Sequence, residues 1–339
     1  MSVHLPLRPL RRMVFVVLAC SGYAIAQPLP AGCNMGELAT VPLKFTDDMR
    51  PVADAHINGI AIPAMVNIGS AQGAVINKKT LDRLGIPVRS IVSTQFRRET
   101  DSSVSNNPTT NLVTNEALSS MIDDFAFGIS SYTKKSFLVE DFMDDTFGAR
   151  IGAAGILNND VELALDAGYL KYFKPDGCIG AHLAYWDPQA VAVRTFYDPL
   201  KNEPRPVFRA QINGQDVLAL LSTGTPHSYI PRTAAVRLGL TPDSAGARRE
   251  DPLPGHAADN PVWSIPVAHM KIGALDVNDV DLRLVDLRHS GEVLILGADF
   301  LHRHRVYMAM SQSQIYFSPI TEKRRLKEGS VDVIPQHLN

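Results

Sequence analysis

Apolar and polar residues alternate in short runs along most of this chain, the period-two pattern of half-buried β-strands. Several of these runs flank an Asn-Gly pair. Residues 52–57 and 62–66 surround Asn58-Gly59, and residues 207–212 and 217–221 surround Asn213-Gly214, so each set predicts a hairpin with a tight turn. Further strands are predicted over 264–272, 280–285 and the continuous apolar run 293–296. Helical patterns are short. Asn77 can cap a helix over 78–84 with Gly85 just past its end, and Leu81 and Leu84 give it an apolar stripe for core packing. A second helix is bracketed by Pro231 near its start and Gly239 beyond its end.

The pattern also repeats. Ile57-Asn58-Gly59 returns 155 residues later as Ile212-Asn213-Gly214, and Ala64-Met65-Val66-Asn67-Ile68-Gly69 returns at the same offset as Ala219-Leu220-Leu221-Ser222-Thr223-Gly224. Leu84-Gly85-Ile86 and Leu238-Gly239-Leu240 stand 154 apart. The offset then falls to 145 for Phe125-Ala126-Phe127-Gly128 with Met270-Lys271-Ile272-Gly273, and for Ile151-Gly152-Ala153 with Leu296-Gly297-Ala298. Ordered matches with a shrinking offset describe one duplicated β unit, the first copy carrying a loop nine residues longer. Residues 91–115 of that copy are rich in Ser, Thr and Asn, and read either as a flap over a cleft or as a surface loop without a role.

Composition excludes several classes. With 339 residues, 45% of them hydrophobic and 20% charged, the chain has enough apolar material for a core and does not read as disordered. Its 33 Lys+Arg against 35 Asp+Glu leave no electrostatic footprint for nucleic acid. At the N-terminus, Arg8, Arg11 and Arg12 precede an apolar run over 13–19 and then Ala24-Ile25-Ala26, a signal peptide with cleavage expected before Gln27. A transmembrane anchor needs about 20 apolar residues, and this run breaks at Ser21-Gly22. Two variants stay open: Val17-Leu18-Ala19-Cys20 as a lipoprotein box acylated at Cys20, and Arg11-Arg12 as a twin-arginine signal. No later segment is apolar enough to span a membrane as a helix. Cleavage removes three arginines and no acid, moving the net charge from −2 to −5, and leaves Cys33 and Cys178. In an oxidising compartment an even pair points to a disulfide. Chain entropy assigns such a long loop about 5 kcal/mol, although bridges more often give about 2–4 kcal/mol. Two buried free thiols are the alternative, and the distant spacing disfavours zinc.

The string Leu220-Leu221-Ser222-Thr223-Gly224-Thr225-Pro226-His227-Ser228-Tyr229-Ile230, followed by Ile295-Leu296-Gly297-Ala298-Asp299-Phe300-Leu301, resembles the aspartic peptidases of the pepsin and retropepsin superfamily. It looks closest to exported bacterial proteins with two retropepsin-like units in one chain. In that family an apolar pair precedes Asp-Thr/Ser-Gly-Ala/Ser, and a later apolar-apolar-Gly segment threads the loop that bears the Asp. The second copy matches closely; the first, Val66-Asn67-Ile68-Gly69-Ser70 with Arg150-Ile151-Gly152, matches more loosely. The resemblance spans residues 40–320, and the positions of Cys33 and Cys178 are similar to the family's pattern. It implies an all-β, bilobal aspartic-peptidase fold with short helices: signal peptide 1–26, N-terminal strand segment 27–45, first retropepsin-like lobe 46–174, inter-lobe linker 175–204, second lobe 205–320 and tail 321–339.

Catalysis in this family takes two carboxylates, one per lobe, that share a single proton. Here Asn67 and Ser222 stand at the two positions. Neither side chain titrates near neutrality. General acid–base catalysis contributes about 10²–10⁴-fold per group, and such groups act as a unit, so activity near background is expected. The resemblance makes Thr223 a hydroxyl that hydrogen-bonds across the lobe interface, a role Ile68 cannot share. It makes Ile68, Gly69, Ser70, Thr223, Gly224 and Thr225 the expected cleft and peptide-binding residues. No cofactor and no metal are expected.

Other chemistry is weaker. Ser222 with His227 as its base lacks a Gly-x-Ser-x-Gly elbow, and a substituted dyad position accounts for the serine. His302-Arg303-His304 places two imidazoles at i and i+2, on different sides of a helix, which reads as charged surface rather than a metal site. Asp123-Asp124 and Asp144-Asp145 read as solvated loop or turn faces, and Lys323-Arg324-Arg325-Leu326-Lys327 as a solvated end. The sequence therefore points to an exported protein, periplasmic or secreted and monomeric because both lobes share one chain. Its expected role is that of a catalytically inactive homologue binding an extended peptide or an envelope protein between the lobes. The rivals are an aspartic-type endopeptidase or other hydrolase with residual or unconventional activity, using Asp299 or another carboxylate, and a structural envelope protein.

Overall fold

Asn58 and Gly59 both take positive φ (51° and 78°), as do Asn213 and Gly214 (50° and 77°). This is the geometry that lets a two-residue turn follow the twist of its strands. The turns join Pro51–Ile57 to Ile60–Asn67 and Val207–Ile212 to Gln215–Leu221. The computed structural model describes residues 29–99, 109–142, 145–196, 203–251, 262–278, 280–285 and 292–320. The expected signal peptide, Cys20 and the basic run at 323–327 lie outside these residues, as does the tip of the long hairpin formed by Arg89–Glu99 and Thr109–Phe127.

The duplication is carried in the register of the strands. Ile57 stands opposite Phe125 as Ile212 stands opposite Met270. Ala64 pairs in parallel with Ala149 as Ala219 pairs with Leu294. The short helices recur where expected. Lys78–Arg83 starts on Asn77, whose Oδ1 accepts a hydrogen bond from the Lys79 N–H (3.1 Å), and Arg232–Arg237 follows Pro231. The expected single strand over 264–272 is instead two, Val262–Val267 and Met270–Ile272. The chain changes partners there, the first pairing with Val280–Val285 and the second with Val207–Ile212 and Leu275–Val277.

Strands group into an eight-stranded sheet, curled by the additional pairing of Pro51–Ile57 with Thr109–Phe127, and a fifteen-stranded sheet. The fold is all-β, with four short helices among the described residues. Six strands of the larger sheet read as a palindrome: Glu37–Pro42, Tyr169–Phe173, Asp160–Ala164, His304–Ala309, Gln314–Pro319 and Val191–Phe196. The last three repeat the first three in reverse order, so the repeat extends to the N-terminal strand and its counterpart at 191–196. Its centre is the pairing of Glu162 with Tyr307. No helix among the described residues is long and apolar enough to cross a membrane.

A charged cluster is buried at this centre. Arg305 Nε donates to Glu162 Oε1 (2.6 Å), with both side chains almost fully enclosed. Tyr169 and Tyr185 donate their hydroxyls to the same carboxylate (3.1 and 2.6 Å), and the guanidinium lies 4.8 Å from the Trp186 ring. Burial, with the Glu162 charge beside it, pushes the Tyr185 hydroxyl's pKa well above its ordinary value. The segment that supplies Tyr185 and Trp186 is tied down by the disulfide between Cys33 and Cys178. Breaking one side of a buried ion pair costs about 3–5 kcal/mol, whereas replacing both with apolar groups is close to neutral. Arg305→Met is therefore expected to lower the unfolding free energy by about 3–5 kcal/mol, and Arg305→Met with Glu162→Leu to recover most of it, in chemical denaturation.

Candidate functional site

In each unit one strand runs into a loop, and a later apolar strand ending in glycine passes through that loop. Ile60–Asn67 pairs with Ala149–Gly152, and Gln215–Leu221 pairs with Val293–Leu296. The threading segments are then fastened by backbone bonds. Ala153 N donates to Ser70 O (2.7 Å) and Gly152 N to Gly73 O (2.7 Å) in the first unit. Ala298 N donates to Thr225 O (2.8 Å), Asp299 N to Pro226 O (3.0 Å) and Ser222 N to Leu296 O (2.9 Å) in the second.

The two loops meet each other. A Cβ built on Gly69 would lie 2.2 Å from Ser222 Oγ, and one built on Gly224 would lie 2.3 Å from Asn67 Cγ. Each glycine thus packs on the other unit's residue at the position where the resemblance places a catalytic acid, and no larger residue fits without displacing it. Thr223 Oγ1 donates to Val66 O (2.5 Å) and accepts from Ile68 N (3.1 Å), so one buried hydroxyl spans the junction. Ile68 is buried and offers no reciprocal hydroxyl. Asn67 Oδ1 accepts from Gly69 N (3.0 Å), while Ser70 and Thr225 stand half-buried beside the junction. The structure therefore brings together Asn67, Ile68, Gly69, Thr223, Gly224 and Ser222. An amide and a hydroxyl here can give and accept hydrogen bonds but cannot share a proton as paired carboxylates do.

Residues 208–303 match the family described as gag-polyprotein putative aspartyl protease. This stretch is similar to a retropepsin-like aspartyl-protease domain. No curated protein matches the chain. The aspartyl-protease-like domain holds both the Ser222–Gly224 loop and the Gly297 segment threaded through it, and residues 51–152 repeat its strand register around Asn67.

Two features of the site were not legible in the sequence. Arg205 Nη1 donates to Gly69 O (2.9 Å), carrying a cation from just before the second unit into the loop of the first. Glu203 holds that guanidinium through two contacts (2.7 and 2.5 Å), and the hydrogen bonds from Arg205 draw its carboxyl below the usual range. The signal was the alternating run Glu203-Pro204-Arg205-Pro206, but the partner of Arg205 is far away in sequence. Asp299, considered above as an alternative acid, is committed to its own loop. It accepts from Ser228 N (3.0 and 2.9 Å), Ser228 Oγ (2.7 Å) and Phe300 N (2.8 Å). By the offsets of the repeat, Gly73 and Ala154 stand at the positions of Ser228 and Asp299, so the first unit lacks this clasp. Ser222 and His227 share no hydrogen bond among the described residues.

The histidines at 302 and 304 are not a charged surface. His302 Nε2 lies 2.9 Å from Met49 O, and His304 stacks on Phe300 (4.1 Å between centroids) with Nδ1 2.9 Å from Phe300 O. Both are buried, because the chain turns from the helix Ala298–Leu301 into the strand His304–Ala309 between them. Among the described residues no His, Cys, Asp and Glu cluster could hold a metal. Asp123 and Asp124 are exposed as expected, although on a strand rather than a turn.

Two outcomes follow from this geometry. Thr223→Val strips the bridge from two buried backbone groups, each worth about 1–3 kcal/mol when left unpaired. A loss of at least about 2 kcal/mol in denaturant unfolding is expected. Burial lowers the His304 pKa from 6.5 to about 4. The unfolded chain then binds the extra proton between those values, so the histidine's contribution is intact above pH 6.5 and is lost as pH falls toward 4. The unfolding free energy of the protein, compared with that of His304→Phe, should show a histidine-dependent drop of about 3 kcal/mol over that range.

Proposed function

We propose that this protein is a catalytically inactive aspartic-peptidase homologue, exported to the periplasm or secreted, that binds an extended peptide or a protein partner along the cleft between its two units. The observation that carries the reading is the pair facing the inter-unit glycines: Asn67 and Ser222 occupy the crossing where two acids would be needed. Support for export comes from the Cys33–Cys178 disulfide, a bond that persists in oxidising compartments. Binding rests on what the crossing retains. Asn67, Ser222 and the half-buried Ser70 and Thr225 offer hydroxyl and amide groups of the kind that pair with a peptide backbone. In this reading the paired strands Arg89–Glu99 and Thr109–Phe127 belong to the flap of that cleft.

The test has two arms. The purified protein should cleave no denatured protein between pH 3 and pH 7, and turnover there that an aspartic-peptidase inhibitor blocks would sink the proposal. An extended peptide library, followed by backbone NMR, should yield ligands that shift Ile68–Ser70 and Thr223–Thr225. Thr225→Arg should weaken them about tenfold or more, in line with losing a central contact of an interface. Ligands that shift other regions and ignore this substitution would remove the cleft from consideration.

A further inference from the structure

The two units differ where the repeat ought to make them alike. In the second, Phe300 is fully buried, 6.0 Å from the Phe317 ring and stacked on His304. At the 145 offset, the first unit has Gly155 at the place of Phe300 and Tyr172 at the place of Phe317. The first unit instead holds a pocket of about 280 Å³ floored by Gly73, Ala154 and Gly155, with Phe125, Tyr132 and Phe137 among its walls. The missing Ser228–Asp299 clasp belongs to the same difference, since Gly73 and Ala154 stand at its two positions and both line the pocket.

The pocket carries a sign. Among the described residues Lys135 is the one charged residue that lines it, and no carboxylate does. The ammonium lies 3.6 Å from the Tyr132 ring centroid and 5.7 Å from that of Phe137, at the aromatic wall and still exposed. Phe125 and Phe137 are tilted against each other with centroids 4.7 Å apart. A cavity of about 150 Å³ with apolar walls takes up benzene, so this volume accommodates one ring with a short chain.

We propose that this pocket binds a small aromatic carboxylate, its ring seated between Phe125, Tyr132 and Phe137 and its anion facing Lys135. The site is separate from the junction of the two loops and does not depend on how that junction functions. Lys135 selects the acid over a neutral analogue, and the glycine floor admits the ring.

Calorimetric titration of the full chain with 3-phenylpropionate, 3-phenylpropan-1-ol and 2-phenylethylammonium tests this. The acid should bind about two- to fivefold more tightly than the alcohol, the range of an exposed ion pair, with the ammonium weakest. Lys135→Glu, a surface change, should reverse the order of acid and ammonium. Gly155→Phe rebuilds the plug of the second unit and should abolish binding of all three. A Cβ at Gly155 meets only Ile151 Cγ2 closely, at 3.1 Å, so its backbone accepts the change. The proposal is overturned if the acid shows no saturable binding up to about 10 mM, if acid and alcohol bind alike, or if folded Gly155→Phe still binds. Should Gly155→Phe not fold, the charge reversal at Lys135 decides alone.

Discussion

Two loops from opposite units touch where Gly69 meets Ser222 and Gly224 meets Asn67, at distances that leave no room for a side chain on either glycine. Such an approach demands that both loops be held from behind. The threaded strands ending at Gly152 and Leu296 do this within each unit, and the palindromic sheet sets the units about a common axis near Glu162 and Tyr307. The Thr223 hydroxyl then closes the junction by satisfying two backbone groups that water cannot reach. Because Ile68 brings no equivalent, the junction is clasped from one side, and Arg205 adds a second tie from the linker to Gly69.

The contact between the two loops depends on glycines, a threonine and backbone atoms rather than on paired acids. Two carboxylates brought this close would repel each other unless they shared a proton, an arrangement that serves catalysis at the expense of the fold. An amide and a hydroxyl remove that repulsion while keeping comparable volume, and Asn67 retains the acceptor oxygen that a carboxylate would offer to Gly69 N. A junction without paired acids is free of that repulsion, the usual trade between stability and an active site.

Local rules made the hairpins, caps and helix ends legible, because Asn-Gly, Asn77 and Gly239 act on their immediate neighbours. The duplication was legible for the same reason, since its matches fall on turns and threaded glycines with strict local demands. The equivalent strands at 37–42 and 191–196 were not, because little in their sequences is alike and only their sheet partners reveal the equivalence. Glu162 with Arg305, Arg205 with Gly69, and Ser228 with Asp299 join residues far apart in the chain, and neither period nor composition encodes such meetings. The buried histidines illustrate the opposite error. An i, i+2 spacing was interpreted on a helix, but the chain changes from helix to strand between the two residues.

The bridge between Cys33 and Cys178 has a mechanical meaning. It joins the start of the described chain to the segment that follows the first unit, so residues 34–177 form a closed covalent ring. Tension applied to the two ends of the protein passes through the sulfurs and bypasses that ring. The second unit lies in the line of force, and residues 34–177, with Asn67 and the aromatic pocket, carry none of it directly while the disulfide holds.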